Sequence, residues 1–168
     1  VLRQGWERIM RQVMLECIFG DRAANVDGAA MREVGERVDT FIDDTTGVQT
    51  IIQMQGLAQM VCELGFVPPE KVRSPAEYKS IYNDRLMEVV RMRLAAFREG
   101  RYGVEDLTIK GAVAFLERLA AMDGLTVCLA SGTDVGDVRA EAAALGYARC
   151  FNGGIHGSVG DPHNDPKK

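Results

Sequence analysis

A serine and a glycine that follow an apolar run are the residues of this sequence best suited to chemistry. The run, residues 125–130, comes after a helical pattern and is typical of a strand buried on both faces of a parallel sheet. Ligands of such sheets bind beyond the carboxyl ends of the strands, where Ser131 falls. Gly132 allows close backbone approach, and Thr133 or Asp134 opens a helix whose N-terminus favours an anion. This predicts a phosphate cradle; the alternative is an ordinary strand-to-helix turn with a capping residue.

The cysteines and histidines do not form a pattern typical of a metal site. The four cysteines stand far apart and include no CxxC pair: Cys17, Cys62, Cys128 and Cys150. Only His156 and His163 could add imidazole ligands, so a zinc site is not expected. Cys128 lies inside the apolar run, where we expect a buried, reduced thiol. Isolated cysteines are typical of a reducing compartment, and we therefore expect a cytoplasmic protein.

The composition predicts a folded domain with no nucleic acid or membrane as a partner. Hydrophobic residues make up 46% of the chain, enough for a packed core, and the formal net charge is −4. No apolar run reaches the roughly 18 residues of a membrane-spanning helix. The chain begins at Val1 rather than Met, and no element follows the polar tail 160–168. We therefore expect it to be part of a longer protein.

Apolar side chains recur every three or four residues through the first hundred positions, the spacing of amphipathic helices. The stripes cover residues 6–18, 31–42, 48–64 and 78–97. The third stripe stops at Gly65, and the fourth follows Ser74-Pro75, with Glu77 placed to complete a capping box. Four helices with short connections predict an antiparallel bundle.

The hydrophobic period changes after residue 107. Four elements follow in the order helix, strand, helix, strand, at about 113–120, 125–130, 134–146 and 150–159. This order predicts a piece of a doubly wound α/β sheet. Glycines flank polar residues at 100–105, so we place the domain boundary there, with a helical unit at 1–103 and an α/β unit at 104–168.

The string Leu-Ala-Ser-Gly-Thr at 129–133 resembles the second motif of haloacid dehalogenase-like (HAD) phosphatases. The resemblance implies an α/β fold, with a partial HAD-like (Rossmann-like) parallel-sheet core and an all-helical cap. It implies that Ser131 and Gly132 bind the transferring phosphoryl group. It also implies that the intact parent hydrolyses a small phosphomonoester with Mg²⁺, through an aspartyl-phosphate. The catalytic lysine of the family would be Lys167, with Lys168 as its rival; the alternative for both is a solvated terminal pair.

Two further segments resemble this family. Residues 2–6 resemble the stretch directly after the nucleophile motif, and residues 41–50 resemble a cap segment of a sugar-phosphate-phosphatase-like branch. The resemblance implies that 1–103 is a cap inserted after the first core strand and that 104–168 belongs to the core. Four polar side chains of this cap could read sugar hydroxyls or simply lie on a solvated face: Thr45, Thr46, Gln49 and Gln53.

The chain departs from the family at the acidic motifs. It contains no Asp-x-Asp-x-Thr nucleophile motif. In the segment 43–46 the acids Asp43 and Asp44 are adjacent and lie in a helical setting, where capping or solvation explains them better. Asp161 and Asp165 have a spacing that resembles the family's Mg²⁺-binding motif, although the lysine motif should come first, which favours Lys167. We expect the isolated chain to be inactive. The alternative is a non-catalytic module that binds a phosphorylated ligand or a protein.

Overall fold

The chain divides into two compact units. The structure, a computed structural model, describes residues 2–159 of the 168-residue chain. One unit is Gly5–Met87, and the other combines the described residues 2–4 with 88–159. This division falls before the boundary predicted at 103/104. The assignment of the two parts as a cap and a core stays a prediction.

The first unit is helical, as the apolar stripes predict. It contains α1 (Trp6–Phe19), α2 (Gly28–Asp44), α3 (Thr50–Leu64) and the first part of α4 (Pro75–Arg98), with 3-10 helices at Gly20–Asn25 and Pro69–Lys71. Helix α1 packs against both α2 and α3. The largest fully buried side chains of this unit include Met10, Met14, Ile18, Phe19, Met54, Leu57 and Tyr78. The helices form because each one presents an apolar stripe to its neighbours.

Local signals set the ends of α3 and α4. Gly65 ends α3 at φ 65°, a left-handed conformation that glycine adopts without strain, and its N–H donates to the Val61 carbonyl. The predicted capping box begins α4. The Ser74 N–H donates to the Glu77 carboxylate at 2.8 Å, and the Glu77 N–H donates to the Ser74 hydroxyl at 3.3 Å. Hydrogen bonds from Ser74 lower the pKa of Glu77.

The second unit carries a small parallel sheet. Its elements are a 3-10 helix at Val104–Asp106, α5 (Ala112–Ala120), β1 (Leu129–Asp134), α6 (Val135–Ala144), a 3-10 helix at Ala148–Cys150 and β2 (Ile155–Ser158). The two strands pair in parallel, and α6 connects them. The described part of the chain is thus mostly helical with a two-stranded parallel sheet, in agreement with a coarse α/β class.

The first strand differs from its prediction in position and burial. It begins at Leu129, not at residue 125, and each of its residues is half-buried or exposed instead of being buried on both faces. The segment before it is held by a side chain. Asn152 accepts from the Val127 N–H at 2.7 Å and donates to the Leu125 carbonyl at 2.9 Å. The Val127 carbonyl also accepts the Gly153 N–H at 2.9 Å, and the regular register of the two strands begins at Leu129 opposite Ile155.

The prediction of a buried Cys128 is also wrong. Its thiol is free and exposed, whereas Cys150 is the buried cysteine of this unit. An apolar run is buried on both faces only where layers cover both faces of its sheet, and Leu125 in the same run is likewise exposed. Over residues 2–159, the structure contains no helix that combines the length and apolar character needed to cross a membrane.

Candidate phosphate-binding site

The residues predicted to form the cradle lie in a bulge of β1. Ala130 is the register partner of His156, and Asp134 is the partner of Ser158, so residues 131–133 stand opposite the single residue Gly157. Ser131 and Gly132 therefore lie within the strand and not after its end, which corrects the prediction. Bulges re-aim side chains and are common beside active sites. Here the bulge directly precedes α6, which opens at Val135, and Gly132 is exposed.

The hydroxyl of Ser131 retains its capacity to donate. Its oxygen accepts the Thr133 backbone N–H at 3.1 Å. That contact is the turn-stabilising role considered as the alternative to phosphate binding. A serine hydroxyl has one proton to donate in addition to its acceptor lone pairs. Because the recorded bond uses only a lone pair, Ser131 can stabilise the turn and donate to a bound oxyanion at the same time.

Gly157 permits the bulge. A Cβ atom at this position would lie 2.6 Å from the Thr133 carbonyl oxygen and 2.6 Å from the Val135 Cα. Both neighbours are backbone atoms, which cannot move aside as a side chain would. A glycine inside a strand is a signal for close backbone approach. The sequence therefore contained a clue to this contact, although its partner could not be read from the sequence.

The N-terminus of the helix that follows the bulge favours the binding of an anion. Helix α6 runs from Val135 to Ala144, and the side chain of Asp134 makes no capping hydrogen bond to it. The N–H groups and the dipole at such an end favour negative charge. Asp137 in the first turn opposes this, but Arg3 pairs with Asp137 at 3.0 Å. The pairing offsets the charge of that acid.

Arg3 also binds Glu141, one turn further along α6. Its Nε donates to the Glu141 carboxylate at 2.8 Å, and the side chains of Arg3 and Glu141 are only 16% and 13% exposed. Burial opposes the charged guanidinium, but hydrogen bonds and attraction from Glu141 and Asp137 outweigh it and raise the pKa of Arg3. No local sequence pattern predicts the contact of Arg3 with Asp137 and Glu141, because these partners lie more than a hundred positions from Arg3 in the sequence.

Arg93, in α4, also holds the N-terminal segment. The Arg93 guanidinium donates to the carbonyl oxygens of Leu2 at 2.6 Å and Gln4 at 2.9 Å, and the Leu2 side chain is buried. Residues 2–4 are thus fixed against α6 and the last part of α4, within the unit that contains Ser131.

The polar residues predicted to contact substrate lie in the helical unit and make internal contacts. The hydroxyls of Thr45 and Thr46 donate to carbonyls of α2, one turn earlier. Gln53 is buried, not solvated, and its amide donates to the Thr45 hydroxyl at 3.1 Å. Gln49 is half-buried at the start of α3 and also has a partner. A substrate-binding role for these four residues stays a prediction.

The predicted catalytic lysine and acidic pair lie outside the described residues; these are Lys167 with its rival Lys168, and Asp161 with Asp165. Within 2–159, no three His, Cys, Asp or Glu side chains come together as a metal site would require. His156 does not face Ser131 as a base would. It is the register partner of Ala130, and its Nε2 lies 3.2 Å from the Gly153 carbonyl oxygen.

Comparisons with known proteins leave this site to be interpreted from its geometry. The chain matches no protein-family model, no curated protein and no solved structure.

Proposed function

We propose that this chain provides the phosphoryl-binding part of a HAD-like phosphatase, an enzyme that hydrolyses a small phosphomonoester. Ser131 would donate a hydrogen bond to a phosphoryl oxygen, and Gly132 would let the backbone approach the same group. The N-terminus of α6 would add electrostatic stabilisation to the transferring group.

The observation that carries the proposal is the position of residues 2–4. These residues begin the segment 2–6, which resembles the stretch that directly follows the family's nucleophile motif. Arg3 holds them on α6, the helix that begins at Val135, shortly after Ser131. A nucleophile placed immediately before such a segment would belong to the same compact unit as the cradle. Catalysis of this kind needs the attacking carboxylate and the phosphoryl-binding groups within reach of each other.

The Mg²⁺ implied by the resemblance has no matching ligand set in the described part of the chain. Mg²⁺ prefers oxygen ligands, usually including carboxylates, and residues 2–159 bring no group of three acids together. We therefore assign no step to a metal. The groups of this chain bind and orient the phosphoryl group, and the attacking carboxylate would come from a segment with the Asp-x-Asp-x-Thr pattern.

The lack of a cluster of acids among the described residues favours a second candidate, a non-catalytic module. With a cradle but no described cluster of acids, the chain could bind a phosphorylated ligand without turnover. The two candidates differ in the sequence that precedes Val1 in the source gene. An Asp-x-Asp-x-Thr motif there favours the enzyme, and a start codon directly before Val1 favours the module.

A binding experiment tests the cradle in either case. Inorganic phosphate added to the ¹⁵N-labelled chain should shift the amide resonances of residues 131–137, and Ser131→Ala should weaken this response. The control is Ser80→Ala, which removes an exposed hydroxyl from α4. In a longer protein with the nucleophile motif, Ser131→Ala should raise the barrier by about 2.7–4 kcal/mol, measured from kcat. Undiminished phosphate binding and turnover would remove Ser131 from the site.

A further inference from the structure

A cavity of about 530 Å³ lies within the helical unit. Its walls come from the end of α1, the following 3-10 helix, the connection between α3 and α4, and the first turns of α4. Pockets of this volume are typical of small-molecule sites. Gly20 shapes one wall at φ 52°, and a Cβ there would approach the Val67 side chain at 3.0 Å.

Two of the cations that line the cavity are already paired. Arg85 binds Glu16 at 3.0 Å, and Lys71 binds Asp21 at 3.3 Å. Both acids also belong to the lining, so these pairs leave no unmatched acid among the residues of the wall.

Arg22 and Arg73 are the other cations of the lining. Neither guanidinium makes an ion pair or a hydrogen bond with any residue that the structure describes. The cavity is therefore a locally cationic site in a chain whose formal net charge is −4. Guanidinium groups bind carboxylate and phosphate oxygens in a two-pronged geometry, which makes an oxyanion the natural complement.

The charge of Arg73 acts on the interior of the cavity. Burial raises the pKa of the Cys17 thiol to about 11, and the nearby Arg73 charge works against that rise. The thiol therefore stays neutral near pH 7 and does not neutralise Arg73. In addition to the hydrogen bonds from Ser74, the charge of Arg73 helps to lower the pKa of Glu77. However, Glu77 does not line the cavity and forms no ion pair with Arg73 within the described residues. Arg73 is also fixed at its backbone, since its N–H donates to the Tyr78 hydroxyl at 3.3 Å.

The remaining wall is apolar. Phe66, Val67, Pro68 and Ile81 line the cavity, and the Phe66 ring packs against that of Phe19 with centroids 4.8 Å apart. A bare inorganic ion would leave this apolar surface without a binding partner. An aromatic or aliphatic body would bury apolar area there, while its charged group engages the arginines.

We propose that this cavity binds a small organic anion, with a phosphate or carboxylate group held by Arg22 and Arg73 and an apolar body packed against Phe66 and Ile81. The site lies entirely within Gly5–Met87 and does not depend on the phosphatase proposal.

Titration of the ¹⁵N-labelled full chain tests the site residue by residue. Phenyl phosphate, benzoate and neutral benzyl alcohol serve as probes. We expect phenyl phosphate or benzoate to shift amides at 16–22, 66–73 and 78–85, with the stronger of the two identifying the preferred oxyanion. Benzyl alcohol should bind about tenfold more weakly or worse. Shifts confined to residues 131–137 would report the Ser131 cradle alone and would overturn this proposal without touching the other.

Variants of the two arginines separate recognition from general electrostatics. Arg73→Gln and Arg22→Gln should each weaken binding of the charged probe by about tenfold, whereas Arg73→Lys should retain part of it. The matched control is Arg32→Gln, which removes the same charge from an exposed position on α2 outside the cavity. Equal affinities for Arg73→Gln and Arg32→Gln, with both spectra showing an intact fold, would overturn the proposal, as would equal binding of benzyl alcohol.

Discussion

The Ser131 hydroxyl can stabilise a turn of the backbone and donate a hydrogen bond to a ligand at the same time. Its oxygen accepts the Thr133 N–H, a contact that stabilises the turn into α6. The hydroxyl proton is not used by that bond, and a hydroxyl that accepts one hydrogen bond becomes a better donor in another. The turn-capping interpretation and the phosphate-binding interpretation of Ser131 are therefore compatible.

A substitution at Gly157 tests whether the bulge of β1 depends on the close packing of this glycine. Gly157→Ala should destabilise the protein by about 1–3 kcal/mol, because the new Cβ would lie 2.6 Å from backbone atoms of Thr133 and Val135. Urea unfolding followed by circular dichroism measures the loss. The strain falls on the bulge itself, so phosphate-induced shifts at 131–137 should weaken in parallel.

Gly136→Ala is the matched control. This glycine lies within α6, and a Cβ there meets no atom within 4 Å. Alanine is favoured over glycine inside a helix by about 1 kcal/mol, so this variant should be neutral or stabilised. If both variants lost stability equally, the close packing at Gly157 would not be the cause.

At the scale of elements, α6 is the organising helix of the α/β unit. It connects the two parallel strands, begins directly after the bulge, and receives Arg3 through Asp137 and Glu141. Attachment of residues 2–4 therefore depends on the largely buried Arg3 ion pairs, together with the Arg93 hydrogen bonds and the buried Leu2 side chain, rather than on secondary structure.

Arg3→Gln should destabilise the protein by about 2 kcal/mol. The change leaves the Glu141 carboxylate, whose side chain is 13% exposed, without its cation. Breaking a fully buried pair costs about 3–5 kcal/mol, and the partial exposure of Asp137 reduces that figure. Urea unfolding gives the magnitude, and faster amide exchange at residues 2–4 would show that the segment has been released.

Arg11→Gln provides the comparison with an exposed pair. Arg11 binds Asp39 at 2.7 Å, but the two side chains are 44% and 50% exposed. Such surface pairs contribute about 0–1 kcal/mol. A loss for Arg3→Gln no greater than that for Arg11→Gln would show that the Arg3 cluster does not hold the segment.

At the scale of the whole chain, the second unit leaves much apolar surface uncovered. Helix α5 has no buried residue, and Phe115 on it is 62% exposed. Ile109 and Met122 nearby are 70% and 58% exposed. A two-stranded sheet is too small to cover these side chains. Sheets usually need three or more strands, or packing against a further element, to be stable on their own.

The 168-residue chain should hydrolyse no phosphomonoester at a measurable rate. Its sequence lacks the Asp-x-Asp-x-Thr motif that would supply the attacking carboxylate, and the described residues include no cluster of metal ligands. Residues that act as a unit lose nearly all catalysis when the nucleophile is missing. The measurement is release of an aryl alcohol from an aryl phosphate in the presence of Mg²⁺.

Metal-dependent turnover that Asp161→Asn abolishes would refute this prediction and identify the C-terminal acids as a working metal site. Turnover that survives Asp161→Asn would also contradict the prediction; in that case a phosphoserine trapped at Ser131 would identify the serine as the attacking group, whereas loss of activity in Ser131→Ala alone would fit either role.

Local signals in the sequence were sufficient for the helices and their order. The apolar stripes, the Ser74–Glu77 capping box and Gly65 each act within a turn or two of the chain, so α1 to α4 appear where they were predicted. The succession of α5, β1, α6 and β2 followed from the change in hydrophobic period for the same reason.

Tertiary structure alone decided the features that need a distant partner. Ser131 lies in a bulge because Gly157 admits the backbone there, and Arg3 is a fixed group because Asp137 and Glu141 receive it. Gln53 is buried because Thr45 accepts its amide, although its polarity had indicated a solvated face as one alternative. The period of a sequence determines which face of an element is apolar, but the element that covers this face is determined by contacts between residues far apart in the chain.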